Sequence, residues 1–312
     1  MIHHIDVREL FAPPAKTCQD ASIASLLEAA AVAVHLLPPP LVAELDALRD
    51  GLSPAGALVV SGIPTGELGA TPPSPQDAAK TDDTSEMWLL AVASVLGDAV
   101  GYSAEHGGDL IQNLVPVERN ARSQMSTSSA VTLAWHTETA FHPHKPKWLL
   151  LLALRGDEAA RTMVCDVRDV VDALDDHTVE VLRTARFTTG IDASFGSSKR
   201  RVGPHPILRG DPGDSGDTRL WFDEDLMAGI DAESNTALRT MIEAVSGCAG
   251  SVTLQAGQCL VIDNDRVAHG RSPYTPRYDG TDRWLQRAFV VRDLGPSATQ
   301  RDGRTIITSF DD

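Results

Sequence analysis

Short apolar segments separated by polar turns fill the chain from about residue 109 onward, and this pattern constrains the fold more than any other feature. The segments are long enough for strands and too short for most helices. Two intervening stretches, Asp169–Arg183 and Ala232–Ser246, have helical spacing instead. The predicted strands are Leu110–Val115, Thr132–His136, Leu149–Leu154, Met163–Asp166, Leu220–Phe222, Ser251–Leu254, Cys259–Asp263 and Arg283–Arg292. The pattern therefore predicts a β-rich core with helices packed outside it.

The first hundred residues have a mostly helical pattern. Ser22–Leu37 is rich in Ala and Leu and stops at a run of prolines, and Leu41–Leu52 carries leucines at helical spacing. Ser85–Val100 returns to the same pattern, whereas the apolar run between Gly56 and Gly62 predicts a buried strand. We expect a helical N-terminal portion over about residues 1–105.

Residues 190–217 are polar, rich in Gly, Ser and Pro, and show little strand pattern. A loop of this length inside a compact domain is usually functional, for example as an active-site lid. The sequence shows no internal repeat. We therefore predict one α+β domain over residues 1–312, with its core at about 106–300 and a lid at about 190–217.

The composition excludes several classes of partner. Asp and Glu number 43 against 27 Lys and Arg, a formal net charge of −16, whereas a nucleic-acid backbone needs a basic surface. The longest strongly apolar run, Trp148–Leu154, is too short to cross a bilayer. The four cysteines, Cys18, Cys165, Cys248 and Cys259, show no CxxC spacing, and no leader-like segment opens the chain. We expect a cytoplasmic protein without nucleic-acid or membrane partners, and no oligomeric state follows from the sequence.

Two histidines and a glutamate form a candidate metal site. Residues 135–138 read Trp-His-Thr-Glu, and on an extended strand His136 and Glu138 point to the same face. His269 follows the predicted strand Cys259–Asp263. Two histidines and one carboxylate are the facial triad of non-heme Fe(II) oxygenases, which leaves positions for a co-substrate and O2. An ordinary alternative is a strand histidine bonded to a neighbouring acid.

Two arginines share one face of the last predicted strand. Arg283 and Arg287 lie four residues apart in an extended pattern, and inward-facing arginines are costly unless each meets an anion. The planar guanidinium binds carboxylates through two donors at once. Two carboxylate-bearing small molecules in one pocket account for both arginines. Ion pairs with Asp279 and Asp282 are the structural alternative.

Three segments carry a resemblance to a known family. They are residues 133–141 (LAWHTETAF), 261–271 (VIDNDRVAHGR) and 277–287 (RYDGTDRWLQR). The chain resembles the clavaminate synthase-like branch of the Fe(II)/2-oxoglutarate dioxygenases over about residues 95–300. Within that branch it is similar to the amino-acid hydroxylases, among them the arginine hydroxylase of viomycin biosynthesis and the lysine hydroxylases. The resemblance implies a double-stranded β-helix (jelly-roll) core with flanking helices.

The resemblance also implies cofactors and the residues that hold them. Fe(II) would be bound by His136, Glu138 and His269, with 2-oxoglutarate as co-substrate and O2 as oxidant. Arg283 would bind the distal carboxylate of 2-oxoglutarate. Thr162 matches a threonine that helps to hold the same molecule.

A further set of residues would bind an amino-acid substrate. By the resemblance, Arg287 takes the α-carboxylate, Glu105 stands where the arginine hydroxylase has a glutamine near the α-amino group, and Ser126 borders the substrate. Asp223 and Asp225 match two aspartates that bind a distal cation, and both face one way if the segment is extended. The alternative for this pair is a helix N-cap before Leu226.

The predicted function is hydroxylation of a free basic L-amino acid, with L-lysine at C3 as the leading substrate. L-Arginine, or an arginine-derived amino acid such as citrulline, is the alternative. A zinc hydrolase uses the same ligands, but it leaves Arg283 and Arg287 unexplained. A halogenase of this fold needs chloride in place of Glu138. A non-catalytic small-molecule binder is the remaining class.

Overall fold

The computed structural model describes residues 2–11, 22–78, 80–196, 199–211, 217–308 and 310. Its helices are α1 (Ile23–Ala33), α2 (Pro39–Arg49), α3 (Thr84–Leu96), α4 (Val167–Ala173), α5 (Asp176–Leu182) and α6 (Ala232–Cys248). Its strands are β1 (Ile2–Asp6), β2 (Ala57–Ser61), β3 (Asp98–Tyr102), β4 (Ile111–Leu114), β5 (Leu133–His136), β6 (Trp148–Arg155), β7 (Thr162–Asp166), β8 (Phe187–Gly190), β9 (Arg201–His205), β10 (Leu208–Arg209), β11 (Arg219–Leu220), β12 (Met227–Gly229), β13 (Gly250–Val252), β14 (Gln258–Asp263), β15 (Val267–Arg271), β16 (Trp284–Val291), β17 (Arg301–Asp302) and β18 (Thr305–Ile306). The fold class is α+β, as predicted.

Two sheets form the core. The major sheet has the strand order β1-β2-β14-β6-β16-β3-β18-β17, with β4 paired to β16. The minor sheet has the order β13-β7-β15-β5. Val164 and Val267 of the minor sheet share an apolar cluster with Leu149, Leu260 and other residues of the major sheet. The two sheets therefore pack against each other across one core.

The major sheet is buried on both faces. In β6, Leu150 and Leu152 belong to the cluster that contains the apolar residues of α1–α3, whereas Leu149 and Leu151 belong to the cluster shared with the minor sheet. Successive side chains of a strand point to opposite faces. A strand covered on both sides therefore reads as the continuous apolar run Trp148–Leu154 rather than as an alternating pattern.

Helices α4, α5 and α6 lie against the minor sheet. Val170, Leu182 and Met241 from these helices join Cys165 and Ala268 of the sheet in a third apolar cluster. In the described part of the chain, no single helix is long and apolar enough to cross a membrane. The helical segments 23–36 and 39–49 pass that test only when taken together across a 108° bend.

The structure corrects two predicted helices. The predicted helix Ser85–Val100 ends at Leu96, because Gly97 leaves the helical conformation and β3 begins at Asp98. The predicted helix Asp169–Arg183 is two helices, since the Asp175 side chain accepts the Thr178 N–H and caps a new helix. Both differences arise at a capping residue within an otherwise helical pattern.

The N-terminal portion predicted as helical over about residues 1–105 also contributes strands to the major sheet. β1 pairs in parallel with β2 at one edge of the major sheet, and β2 pairs with β14. The polar sequence Ile-His-His-Ile-Asp of β1 carries little strand signal. Its pairing across some fifty intervening residues is a tertiary contact that no local pattern predicts.

The predicted lid, residues 190–217, is not an unstructured loop. It contains β9, which pairs with β8, and β10, which pairs with β11. Residues 197–198 and 212–216 of the segment lie outside the described residues. β9 is largely exposed and therefore lacks the apolar alternation that identifies a buried strand.

Candidate active site

The three predicted metal ligands lie together at the edge of the minor sheet. β5 ends at His136, which is directly opposite His269 on β15, and Glu138 follows two residues later. One ligand atom from each side chain lies within 4.8 Å of the other two. His269 Nε2 lies 3.4 Å from Glu138 Oε1. The three side chains could therefore hold one metal ion.

The protonation of these groups suits a cation. His136 Nδ1 lies 2.8 Å from the Ala134 carbonyl, which can only accept, so Nδ1 donates this hydrogen bond and Nε2 is the ring nitrogen left to face a metal. Burial lowers the pKa of His269 to about 4, which keeps this imidazole neutral at pH 7. Burial opposes ionisation of Glu138, but the Arg287 guanidinium and the neighbouring histidines lower its pKa to about 2. The neutral imidazole of His269 and the ionised carboxylate of Glu138 therefore face the imidazole of His136.

A second group of side chains forms a cationic end of the same cavity. Arg283 and Arg271 are both buried, and both contact Tyr274. Burial and, to a smaller extent, the charge of Arg283 lower the pKa of Arg271 to about 10. Neither arginine forms a salt bridge with a carboxylate of the described residues. Thr162 pairs with Arg271 across β7 and β15 and lines the same region. This end of the cavity fits a small dianion.

The alternative in which Arg283 and Arg287 pair with Asp279 and Asp282 is wrong. The Asp279 carboxylate lies 3.6 Å from the Arg277 guanidinium, and Asp282 accepts the Arg277 backbone N–H at 2.7 Å. Both aspartates are used within their own turn.

Arg287 and Glu105 form a buried ion pair beside the metal ligands. Arg287 Nη2 donates to the Glu105 carboxylate, and Arg287 Nε donates to Gln112 Oε1 at 2.8 Å. Arg287 Nη1 lies 3.5 Å from Glu138 Oε1. Burial raises the pKa of Glu105, although the Arg287 charge opposes that shift. The structure therefore brings a cation and an anion together where the head group of an amino acid was predicted to bind.

The structure separates Asp223 from Asp225. Asp223 lines the cavity, and its pairing with His136 across an isolated bridge places it beside the metal ligands. Asp225 is exposed and does not line the cavity. The segment is a turn rather than a strand, because Asp223 Oδ1 accepts the N–H groups of Asp225 and Leu226. The prediction that both carboxylates face the substrate is therefore wrong for Asp225. The helix N-cap alternative is also wrong, since β12 follows the turn.

One cavity of about 350 Å³ joins these groups. Residues of both sheets line it, and so does the half-buried Ser126. Asp192, on the chain that follows β8, also lines it and lies close enough to Asp223 and Glu105 to raise the pKa of each. Of the ten predicted site residues, only Asp225 is absent from the lining.

Sequence reasoning missed four residues of this region. Gln112 is a buried amide that binds Arg287, and Asn264 is a buried amide that binds the backbone of Glu138. Arg271 lies beside Arg283, and Asp192 lines the cavity close enough to Asp223 to raise its pKa. Arg271 stood inside a segment already singled out, so its proximity to His269 on one strand was an available signal. A lone amide or aspartate carries no spacing pattern.

One buried histidine outside this cavity predicts an acid sensitivity. The His142 side chain is 2% exposed and packs edge-on against aromatic rings, and burial lowers its pKa to about 3. The unfolded chain binds a proton near pH 6.5 that the folded chain excludes. The free energy of unfolding should therefore fall as the pH drops below about 6.5, by up to about 1.4 kcal/mol per pH unit from this group.

Urea unfolding at pH 7 and pH 5 should show a smaller loss of unfolding free energy in His142→Phe than in wild type. An identical loss in His142→Phe and wild type would contradict this assignment, and the exposed His177→Phe serves as control.

An α+β chain with two histidines, a glutamate and two buried arginines around one cavity has the arrangement of the non-heme iron oxygenases. The model of the taurine catabolism dioxygenase TauD, TfdA family matches residues 25–289. The chain belongs to this family, which confirms the resemblance drawn from the sequence. The zinc-hydrolase alternative is wrong, because the family is one of dioxygenases.

Individual relatives are amino-acid oxygenases. The chain is 36% identical over 290 residues to L-lysine 3-hydroxylase of Catenulispora acidiphila, which covers 90% of this chain and 80% of that protein. It is also 36% identical over 285 residues to L-asparagine oxygenase of Streptomyces coelicolor, covering 89% and 84%. Among solved structures, an asparagine oxygenase in complex with Fe(II), 3-hydroxyasparagine and succinate superposes with a TM-score of 0.87 at 32% identity over 99% of each chain. The non-heme iron oxygenase OrfP with Fe and α-ketoglutaric acid gives 0.84 at 26% identity, over 98% of this chain and all of that one.

Proposed function

We propose that this protein is an Fe(II)- and 2-oxoglutarate-dependent hydroxylase of a free basic L-amino acid, with L-lysine at C3 as the leading substrate. The observation that carries the proposal is the convergence of His136, Glu138 and His269 on a cavity that is also lined by Arg283, a buried arginine without a salt-bridge partner among the described residues. The two packed sheets support a double-stranded β-helix core for the same chain. The relatives named above support amino-acid hydroxylation as the reaction.

The ligand set fits iron, and the cationic end fits its co-substrate. His136, Glu138 and His269 would hold the metal on one face, and Arg283 would bind the distal carboxylate of 2-oxoglutarate through two parallel hydrogen bonds. Thr162 would add a hydroxyl contact to the same molecule. When bound, iron, 2-oxoglutarate and O2 supply the oxidising power that inserts one oxygen atom into a C–H bond while 2-oxoglutarate becomes succinate and CO2.

The pair of Arg287 and Glu105 would bind the head group of the substrate. A free α-amino acid carries a carboxylate and an ammonium on one carbon, so it can exchange partners with an existing ion pair without leaving either charge buried alone. Ser126 would border the same group. Because this anchor lies beside Glu138, it holds the carbons next to the head group near the metal, which favours C3.

The cavity also favours a cationic side chain. Arg287 already balances Glu105 and approaches Glu138, whereas Asp223 and Asp192 have no salt-bridge partner among the described cations. A substrate ammonium or guanidinium between these two carboxylates would compensate their charge. L-Lysine and L-arginine both satisfy this requirement, and the identity to a lysine 3-hydroxylase supports lysine.

A neutral amide substrate is the second candidate, and the position of Asp225 favours it. With Asp225 at the surface, a single aspartate of the predicted pair faces the cavity, and one carboxylate can accept hydrogen bonds from an amide. The superposition with an asparagine oxygenase supports the same candidate. Succinate formation from 2-oxoglutarate, followed with Fe(II) and ascorbate against lysine, arginine, citrulline and asparagine, separates the candidates and tests the non-catalytic alternative.

The Asp223→Asn variant should distinguish the two aspartates. Removing one partner of a buried charge pair costs about 3–5 kcal/mol, so the KM for L-lysine should rise by roughly two orders of magnitude or more. Asp225→Asn is the matched control and should leave the KM within about twofold, because that side chain is exposed. Steady-state succinate assays measure both. Equal effects of the two substitutions, or no effect of Asp223→Asn, would contradict the assignment.

We further propose a cytoplasmic location and a small-molecule partner only. Cys165, Cys248 and Cys259 are free thiols, which fits a reducing compartment. Cys18 lies outside the described residues.

A further inference from the structure

We propose that Asn264 is a positioning residue that sets the location of the Glu138 carboxylate and couples it to the strand that carries His269. The proposal rests on the metal site of the proposed function. It concerns an uncharged residue that does not line the cavity. Asn264 begins the turn between β14 and β15 and is fully buried.

The Asn264 side chain binds both backbone polar groups of Glu138. The Glu138 N–H donates to Asn264 Oδ1 at 2.8 Å, and Asn264 Nδ2 donates to the Glu138 carbonyl at 3.2 Å. Asn264 Nδ2 also donates to the Pro146 carbonyl at 2.8 Å. The carboxamide therefore makes the two backbone hydrogen bonds that a neighbouring strand would otherwise make with Glu138.

Glu138 needs such a partner because it lies beyond the end of its strand. β5 ends at His136, Thr137 is held by the Phe222 carbonyl at 2.8 Å, and Thr139 has a φ of 50°. In the described part of the chain, no main-chain group bonds the N–H or the carbonyl of Glu138. A buried peptide group without partners is rare and costly, so the Asn264 amide determines where this backbone lies.

Asn264 is itself held rigidly. Its N–H donates to the Lys147 carbonyl at 2.8 Å, and its carbonyl accepts from Lys145 Nζ at 2.9 Å. His269 follows five residues later on β15. A single side chain thus fixes the carboxylate ligand relative to the strand of the second histidine, and this distance decides whether the two can share one ion.

Loss of the amide should therefore weaken metal binding rather than stability alone. Groups that orient metal ligands typically change metal affinity by about 10–100-fold when they are removed. Asn264→Ala should raise the Kd for Co(II), used as a spectroscopic probe, by about 10–100-fold and should alter its visible absorption, which reports coordination geometry. The kcat should fall, whereas the KM for the amino acid should change less, because Arg287 and Glu105 are untouched.

Asn235 offers a matched control. Its carboxamide binds the N–H and carbonyl of Gly229 at 3.1 and 3.0 Å and the Asp231 carbonyl at 2.7 Å. Asn264 makes the same pattern of contacts, with both backbone groups of one residue and the carbonyl of another. It lies on α6 and does not line the cavity. Asn235→Ala should lower the free energy of unfolding but leave the Co(II) Kd within about twofold.

The decisive result is the Co(II) affinity of Asn264→Ala, measured without amino acid. A Kd equal to that of wild type, with a loss of stability like that of Asn235→Ala, would overturn the proposal. If Asn264→Ala does not fold, Asn264→Asp decides: its added negative charge alone would tighten cation binding, so weaker binding supports displacement of Glu138, whereas equal or tighter binding overturns it. A wild type that binds Co(II) but hydroxylates no amino acid would reject the proposed function and leave this inference standing.

Discussion

The His269→Ala variant should lose Fe(II) binding and, with it, all substrate-dependent succinate formation. Removing one of three protein ligands should weaken Fe(II) binding by more than the roughly 10–100-fold that follows loss of an orienting contact. The fold should survive, because His269 Nδ1 has no hydrogen-bond partner among the described residues and the substitution leaves no backbone group unpaired. Anaerobic calorimetric titration with Fe(II) measures the affinity, and circular dichroism checks the fold.

The exposed His177 provides the control for this experiment. Its side chain is 70% exposed and pairs with Glu233 away from the cavity, so His177→Ala should bind Fe(II) as wild type does. Unchanged Fe(II) affinity in His269→Ala would show that the three side chains do not share a metal.

Replacing Arg283 should weaken 2-oxoglutarate binding selectively. Arg283→Gln leaves a buried carboxylate of the co-substrate without its cation, a loss of about 3–5 kcal/mol, so the KM for 2-oxoglutarate should rise by roughly two to three orders of magnitude. Arg283→Lys keeps a cation but not the planar pair of donors, and it should raise that KM at least about tenfold. Initial rates of succinate formation at saturating amino acid measure both.

Arg287→Lys is the informative comparison. Arg287 lies four residues after Arg283, on β16, and contacts Glu105 and Gln112, so its substitution should raise the KM for the amino acid and change that for 2-oxoglutarate much less. If either the Arg283 or the Arg287 variant raised the KM for 2-oxoglutarate and the KM for the amino acid equally, the assignment of one carboxylate to each arginine would be wrong.

The parts of the fold that the sequence predicts are those in which burial produces a pattern. β6 and β14 are largely apolar runs, β16 is an apolar strand interrupted by Gln286 and Arg287, and all three were predicted to within two residues. β9 and β1 were missed because exposed or polar strands have no such pattern and depend on pairing with distant partners.

The site follows the same rule. His136 and Glu138 were predicted from strand alternation, although Glu138 lies just past the strand and is held there by Asn264. The prediction for Asp225 was wrong because strand alternation assumes an extended chain. In this segment the Asp223 carboxylate accepts two backbone N–H groups and stabilises a turn instead. Amides such as Gln112 act through tertiary hydrogen bonds that no spacing encodes.

The most direct test of the central claim is the fate of O2 labelled with oxygen-18 in a reaction with Fe(II), 2-oxoglutarate and L-lysine. We expect one labelled oxygen atom in succinate and the other in a lysine hydroxyl at C3, with one succinate formed per hydroxylated lysine, as mass spectrometry and NMR of the product would show. The account would be contradicted if lysine stayed unmodified while L-asparagine gained the labelled hydroxyl. It would also be contradicted if no free amino acid gave a labelled product.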